Sequence, residues 1–239
     1  MRYIAVDIET TGLSPVKDKI IEIGAVKYEN GNAIASFSSL VHAQIISVPE
    51  RIIELTGITD EMLQDAPTEQ EAMAQFLEFA TEDFPLLGHN IRFDYSFLKV
   101  ASLRMGLSFE RDGMDTLHLS RVCCSEMPSK TLSALCEKYD IRNEHAHRAY
   151  EDAIATATLY EKLKQDYAET NPELFKPQQL VYKEKKQEPV TAKQIRYLEA
   201  ILAYHKLDLK PAYEQMTKSE VARLIDTLLN RYGRIPYVR

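Results

Sequence analysis

The run Tyr3-Ile4-Ala5-Val6-Asp7-Ile8-Glu9-Thr10-Thr11-Gly12 (residues 3–12) decides how the rest of the chain reads. Its apolar start predicts a short buried strand that ends in a polar turn. Side chains two apart on a strand share a face, so Asp7 and Glu9 aim two carboxylates the same way, while Val6 and Ile8 point into a core. Two such charges a few ångströms apart repel by about 4 kcal/mol at an effective dielectric of about 20. A chain keeps that arrangement cheaply only if a cation lies between them or if one of them stays protonated. Taken alone, Asp-x-Glu also describes a strand that reaches the surface with two solvated acids, so the choice between the two rests on the residues downstream.

Beyond that run, Lys19–Tyr28 has a long strand pattern, and Asn30-Gly31 is a hairpin turn leading to a third strand over Ala33–Val41. Pro49–Leu55 and Thr68–Ala80 read as helices, the second opened by a capping box of Thr68 and Glu71. The short apolar run Phe84–Leu87 breaks at Gly88-His89-Asn90. From Arg92 to Met105 apolar residues then recur at helical spacing, which places Asp94 in the first turn of a helix that directly follows a strand. Asp112–Thr116 reads as another strand end, with Asp115 capping a helix through Arg121, and Thr131–Lys138 as a further helix. His145-Ala146-His147-Arg148-Ala149-Tyr150-Glu151-Asp152 opens a long helix to about Tyr167. His147 and Asp152 are five apart, so they face one site only if His147 precedes the helix and Asp152 lies in its first turns.

Composition narrows the class. At 239 residues with 45% hydrophobic and 27% charged content, the chain has material for one sizeable core and an appendage. No apolar run approaches the roughly 20 residues of a membrane span. Met1-Arg2 leads straight into the first strand, so no secretory leader is expected. Cys123, Cys124 and Cys136 match neither a disulfide framework nor a zinc spacing, which suits buried, reduced cysteines and a cytoplasmic location. The net charge of −7 is uneven: residues 1–170 hold 16 Lys and Arg against 28 Asp and Glu, and residues 171–239 hold 13 against 8. Residues 171–190, with three prolines and many polar residues, have a linker composition. Beyond them Thr191–His205 and Thr217–Tyr232 read as two amphipathic helices of a small module, residues 191–239.

Three blocks now stand in order: Asp-Ile-Glu-Thr-Thr-Gly (7–12), Gly-His-Asn-Ile-Arg-Phe-Asp (88–94) and His-Arg-Ala-Tyr-Glu-Asp-Ala (147–153), with Met-Asp-Thr (114–116) between the last two. In these blocks residues 1–168 resemble the DEDDh, or DnaQ-like, family of 3′–5′ exonucleases, the group that includes the proofreading epsilon subunit of bacterial DNA polymerase III. The resemblance implies a ribonuclease H-like α/β fold, a mixed sheet of about five strands flanked by helices. It implies a DNA exonuclease of proofreading or repair that releases nucleoside monophosphates. Asp7, Glu9, Asp94 and Asp152 are the implied ligands. Four converging carboxylates can hold two divalent cations about 3.5–4 Å apart, and oxygen ligands favour Mg²⁺ or Mn²⁺. His147 is the implied general base, since it has the family's spacing to Asp152 and an imidazole titrates in the neutral range. His145 is its rival. The implied substrate contacts are Ile8, Thr10, Thr11, Gly12 and Leu13, with Leu13 as a wedge against the terminal base, and Asn90 beside them.

Two other readings use the same residues. The motifs also serve RNA-trimming exoribonucleases. An inert, partner-binding relative would be expected to have lost one of the acids, and all are present here. The implied partners are frayed or single-stranded 3′ ends of nucleic acid, together with a DNA polymerase or repair protein met through the C-terminal module.

Overall fold

The computed structural model describes the chain apart from residues 44–46, 81–83, 144–145, 184–187 and 237–239. It divides into two compact units, Met1–Tyr182 and Lys183–Arg239. In chain order the elements are β1 (Arg2–Thr10), β2 (Ile20–Glu29), β3 (Asn32–Leu40), α1 (Glu50–Thr56), α2 (Asp60–Leu63), α3 (Glu69–Phe79), β4 (Leu86–Gly88), α4 (Arg92–Arg104), β5 (Asp112–Asp115), α5 (Thr116–Cys123), α6 (Leu132–Lys138), α7 (Ala149–Tyr167), β6 (Gln178–Gln179), α8 (Ala192–Tyr204) and α9 (Lys218–Tyr232). Among the described residues no helix is long and apolar enough to cross a membrane.

The first unit is built on one mixed sheet, ordered β3-β2-β1-β4-β5-β6. β2 pairs antiparallel with both β1 and β3, whereas β4 runs parallel to β1 and β5 parallel to β4. The β2–β3 hairpin closes through Asn30 and Gly31, whose φ angles of 52° and 81° are those a two-residue turn requires. The alternation of β1 sorts its side chains into two layers. Ile4, Val6 and Ile8 pack with Met73 and Phe76 of α3 and Tyr95 and Leu98 of α4. Tyr3 and Ala5 face the other way, against Leu119, Leu135, Tyr160 and Leu163 of α5–α7. Asp7 and Glu9 continue that second row, so they emerge where the start of α7 crosses the sheet.

The sheet has six strands rather than five, and the extra one comes from the stretch whose composition suggests a linker. Pro172–Phe175 forms a 3₁₀ turn, Phe175 and Leu180 are buried in the two cores, and Gln178–Gln179 pairs antiparallel with β5. Burying two such side chains is worth about 1.5–3 kcal/mol each, enough to order a short polar segment onto the sheet edge. Residues 171–182 therefore belong to the first unit, and within the expected linker 184–187 lie outside the described residues. The four-residue helix α2 also has no forerunner in the periodicity. It is held by a local apolar cluster of Ile21, Ala43, Val48, Ile58 and Leu63. All three cysteines are free; Cys124 and Cys136 are buried and Cys123 is half-buried.

Candidate active site

The end of β1 is organised by its neighbours in register. Asp7 stands opposite Gly24 and Glu9 opposite Glu22 on β2. A Cβ on Gly24 would lie 2.2 Å from the backbone of Ala149 and Tyr150, so the missing side chain is what lets the first turn of α7 rest on the sheet. Glu22 fastens that turn. It is 1% exposed, accepts the Ala149 N–H at 3.0 Å and takes the Arg148 guanidinium at 2.7 and 3.2 Å. Arg148, the residue before the helix, gives no side-chain cap of its own, so a carboxylate from a distant strand supplies the capping acceptor.

With α7 fixed, Asp152 enters the site in its first turns. Its carboxylate accepts the His147 N–H at 2.8 Å and the Asn143 side-chain amide at 2.7 Å. His147 precedes the helix with φ of 67°, a left-handed conformation rare for a side chain other than glycine and found where structure over-determines it. That bend brings its exposed ring to the acids: one ligand atom each of Glu9, His147 and Asp152 lie within 4.8 Å of one another. Asp94 arrives from the opposite layer, in the first turn of α4, where its carboxylate accepts the Ile8 N–H at 3.1 Å. His145 lies outside the described residues.

Electrostatically these acids oppose one another. Burial, and then Asp94, Asp152, Glu9 and Glu22, hold the Asp7 carboxyl well above the usual carboxylate range. Glu9 is pushed up to about 8 by burial and by Asp152, Glu22 and Asp94, with Arg148 pulling the other way. Burial also raises Asp94, against the backbone N–H groups that favour its charged form. It raises Asp152 as well, despite the N–H donors of Asn143 and His147. A cluster that takes up protons this readily is one that a cation would neutralise in their place. Carboxylate oxygens with a single imidazole fit a hard divalent ion.

The remaining residues expected at the site fall into two groups. Ile8 keeps its side chain in the core and spends its N–H on Asp94, so it positions that carboxylate. Thr10 and Thr11 are buried and brace the loop after β1: the Thr10 hydroxyl donates to the Gly12 carbonyl, and the Thr11 hydroxyl accepts the Lys19 N–H. Gly12 lies against the Asp18 carboxylate with no room for a Cβ. Leu13, by contrast, is 69% exposed. Asn90 is also exposed, at φ 71°, with its N–H donated to Asp115. Asp115 caps α5, as its position before the helix suggests. His89 of the same motif is held inside: Nε2 donates to the Lys130 carbonyl, leaving Nδ1 to accept from Thr116, and burial lowers its pKa.

Glu22, Gly24 and Asn143 lie outside the motif blocks, and Arg148, inside the third block, has no role assigned in that reading. The trace they leave is slight: one acid and one glycine inside the apolar run Ile20–Val26, and an arginine directly after His147.

Comparison with known proteins bears on the family and the fold. Residues 4–160 match the family RNase_T, described as exonuclease. The DNA polymerase III PolC-type of Caldanaerobacter subterraneus subsp. tengcongensis is 42% identical over 161 residues, covering 67% of this chain and 11% of that protein. The PolC-type protein of Bacillus subtilis is 42% identical over 170 residues, covering 70% and 12%. The chain thus spans only 11–12% of the length of the curated relatives it matches. Among solved structures, the zinc-bound E. coli ExoI–ssDNA complex superposes with a TM-score of 0.65 at 22% identity, covering 73% of this chain and 42% of that one. Exonuclease X in complex with 5′ overhanging duplex DNA gives 0.55 at 22% identity, covering 72% and 96%. At that identity the structures speak for the fold, which is theirs: a ribonuclease H-like mixed sheet flanked by helices. The family match over about two-thirds of the chain carries the assignment: this chain belongs to the RNase_T exonuclease family, a divalent-metal-dependent family, in its DnaQ-like 3′–5′ exonuclease branch.

Proposed function

We propose that the chain hydrolyses DNA from its 3′ end, releasing nucleoside monophosphates, in proofreading or repair. One observation carries the reading: Glu9, His147 and Asp152 converge at one end of β1, beside Asp7 and with Asp94 held there by Ile8. In this reading Asp7, Glu9, Asp94 and Asp152 hold two Mg²⁺ or Mn²⁺ ions, which would supply the positive charge that activates water and stabilises the departing 3′-oxygen. His147, the exposed group of the cluster, takes the proton from the attacking water. Asp152 fixes the backbone of that histidine, Asn143 fixes Asp152, and Glu22 with Arg148 fixes the helix that carries them. Exposed Leu13 stacks against the terminal base and Asn90 contacts the same nucleotide.

DNA rather than RNA is supported by the PolC-type relatives. The PolC-type names also support a polymerase or repair protein working on the same 3′ end. Matched DNA and RNA oligomers, 5′-labelled and incubated with Mg²⁺ or Mn²⁺, test the proposal. DNA should shorten stepwise from the unlabelled end, with 5′-mononucleotides released and no reaction in chelator. Faster shortening of RNA would transfer the proposal to an exoribonuclease, and internal cuts would refute it.

A further inference from the structure

Residues 183–239 have a charge balance unlike that of the first unit, with 12 Lys and Arg against 7 Asp and Glu. They have a core of their own: Leu198, Ile201, Leu202, Val221, Ile225 and Leu228. The two helices run in the same direction. At their starts Gln194 donates to the Lys218 carbonyl at 2.8 Å, and Pro189 pairs with Thr217. At their ends the His205 ring lies 3.2 Å from the Gly233 carbonyl. Both C-termini therefore meet at one end, and there the aromatic residues gather outside the core. The ring of Tyr204 meets His205 edge-on at 5.0 Å, His205 meets Tyr232 at 5.7 Å, and the Arg231 guanidinium lies 5.5 Å from the Tyr232 ring. Tyr204 is 57% exposed and Tyr232 41%.

Cations at a helix C-terminus are explained by the dipole. Two tyrosine rings left in water beside them are not. Single exposed apolar groups are ordinary, but a contiguous row of rings edged with positive charge is how proteins hold unpaired bases. We propose that Tyr204, His205 and Tyr232 form a stacking platform for single-stranded nucleic acid, with Lys206 and Arg231 meeting its phosphates. The rings take the faces of successive bases. The phosphates fall to the side-chain cations, because the carbonyl ends of α8 and α9 repel them. This site is independent of the hydrolysis proposed above, since it needs neither metal nor an intact Asp7.

The test uses the full chain in chelator, where no strand is cut, and follows the anisotropy of a labelled dT20 oligomer. Tyr204→Ala and Tyr232→Ala should each weaken binding about tenfold, with Tyr204→Phe and Tyr232→Phe restoring it. A blunt 20-base-pair duplex, whose base faces are covered, should bind more weakly than the strand. Lys206→Gln with Arg231→Gln, which leaves the rings in place, should flatten the salt dependence by about 1.4 in log–log slope for two lost contacts. Melting curves identify any variant that has lost its fold, and the charge variant then decides. Wild-type affinity in the double tyrosine variant, equal binding of strand and duplex, or an unchanged salt slope would overturn the platform and leave this end of the unit to a protein partner.

Discussion

Asp7 sits among four other acids, each of which raises its pKa, so its charge is costly to the fold and useful only to something positive. Asp7→Asn should abolish turnover while leaving the melting temperature in chelator level or slightly higher, because the substitution removes repulsion and keeps the shape. Melting and turnover measured on one preparation check both halves. A mutant that melts as well as wild type but keeps appreciable activity would remove Asp7 from the metal site. His147→Ala should cost roughly 10²–10⁴-fold in turnover while Mn²⁺ binding persists, the loss expected of a general base. A loss of Mn²⁺ binding of the same size would recast His147 as a ligand, a role its nearness to Glu9 and Asp152 also allows.

The placing of these side chains depends on where α7 lands, and that is decided on β2. Gly24→Ala would drive a methyl into the backbone of Ala149 and Tyr150. It should destabilise the fold by about 1–3 kcal/mol, as overpacking does. Turnover should fall by about 10²-fold through displacement of Asp152 and His147, with the identity of every ligand unchanged. Glu22→Gln, which keeps the size but not the charge, should loosen the same turn; turnover equal to wild type would show that the Arg148 ion pair is incidental. These dependencies mark the limit of what local pattern reveals. β1, the Asn30-Gly31 hairpin and the helices α3, α4 and α7 are legible because periodicity and turn chemistry act over a few residues. The tie between Glu22 and Arg148 spans 126 positions and exists only once the sheet has formed. The helix starts at Asp94 and after His147 leave a local trace, but the roles read for these two residues come only from the family resemblance of blocks 88–94 and 147–153.

Composition misleads most over residues 171–182, where proline and glutamine suggest a linker but Phe175 and Leu180 are buried. The short apolar runs Leu174-Phe175 and Leu180-Val181-Tyr182 carry no helical or strand periodicity, so only tertiary packing reveals them. A chain ending after Tyr182 should therefore fold and hydrolyse a nucleotide ester at close to the full rate. One ending at Ala168 should melt markedly lower, having lost about 3–6 kcal/mol of apolar burial and the β6 edge. Equal melting of the two truncated chains would show that the sheet edge adds nothing. The acids also give the whole molecule a pH signature. With Glu9 raised to about 8 and an unfolded carboxyl near 4, the folded chain binds more protons than the unfolded one between about pH 4 and 8, so stability in chelator should fall as pH rises through that window. Mn²⁺ should reverse the fall, and its stabilising effect should grow with pH as protons leave the site. Whether the clustered acids form a two-metal centre is decided by the number of Mn²⁺ ions bound per chain at about pH 8, read by calorimetric titration. The two-metal centre proposed above predicts two in the wild type and a clear loss in Asp7→Asn; wild-type protein that binds none, or an Asp7→Asn protein that binds as wild type does, would contradict it.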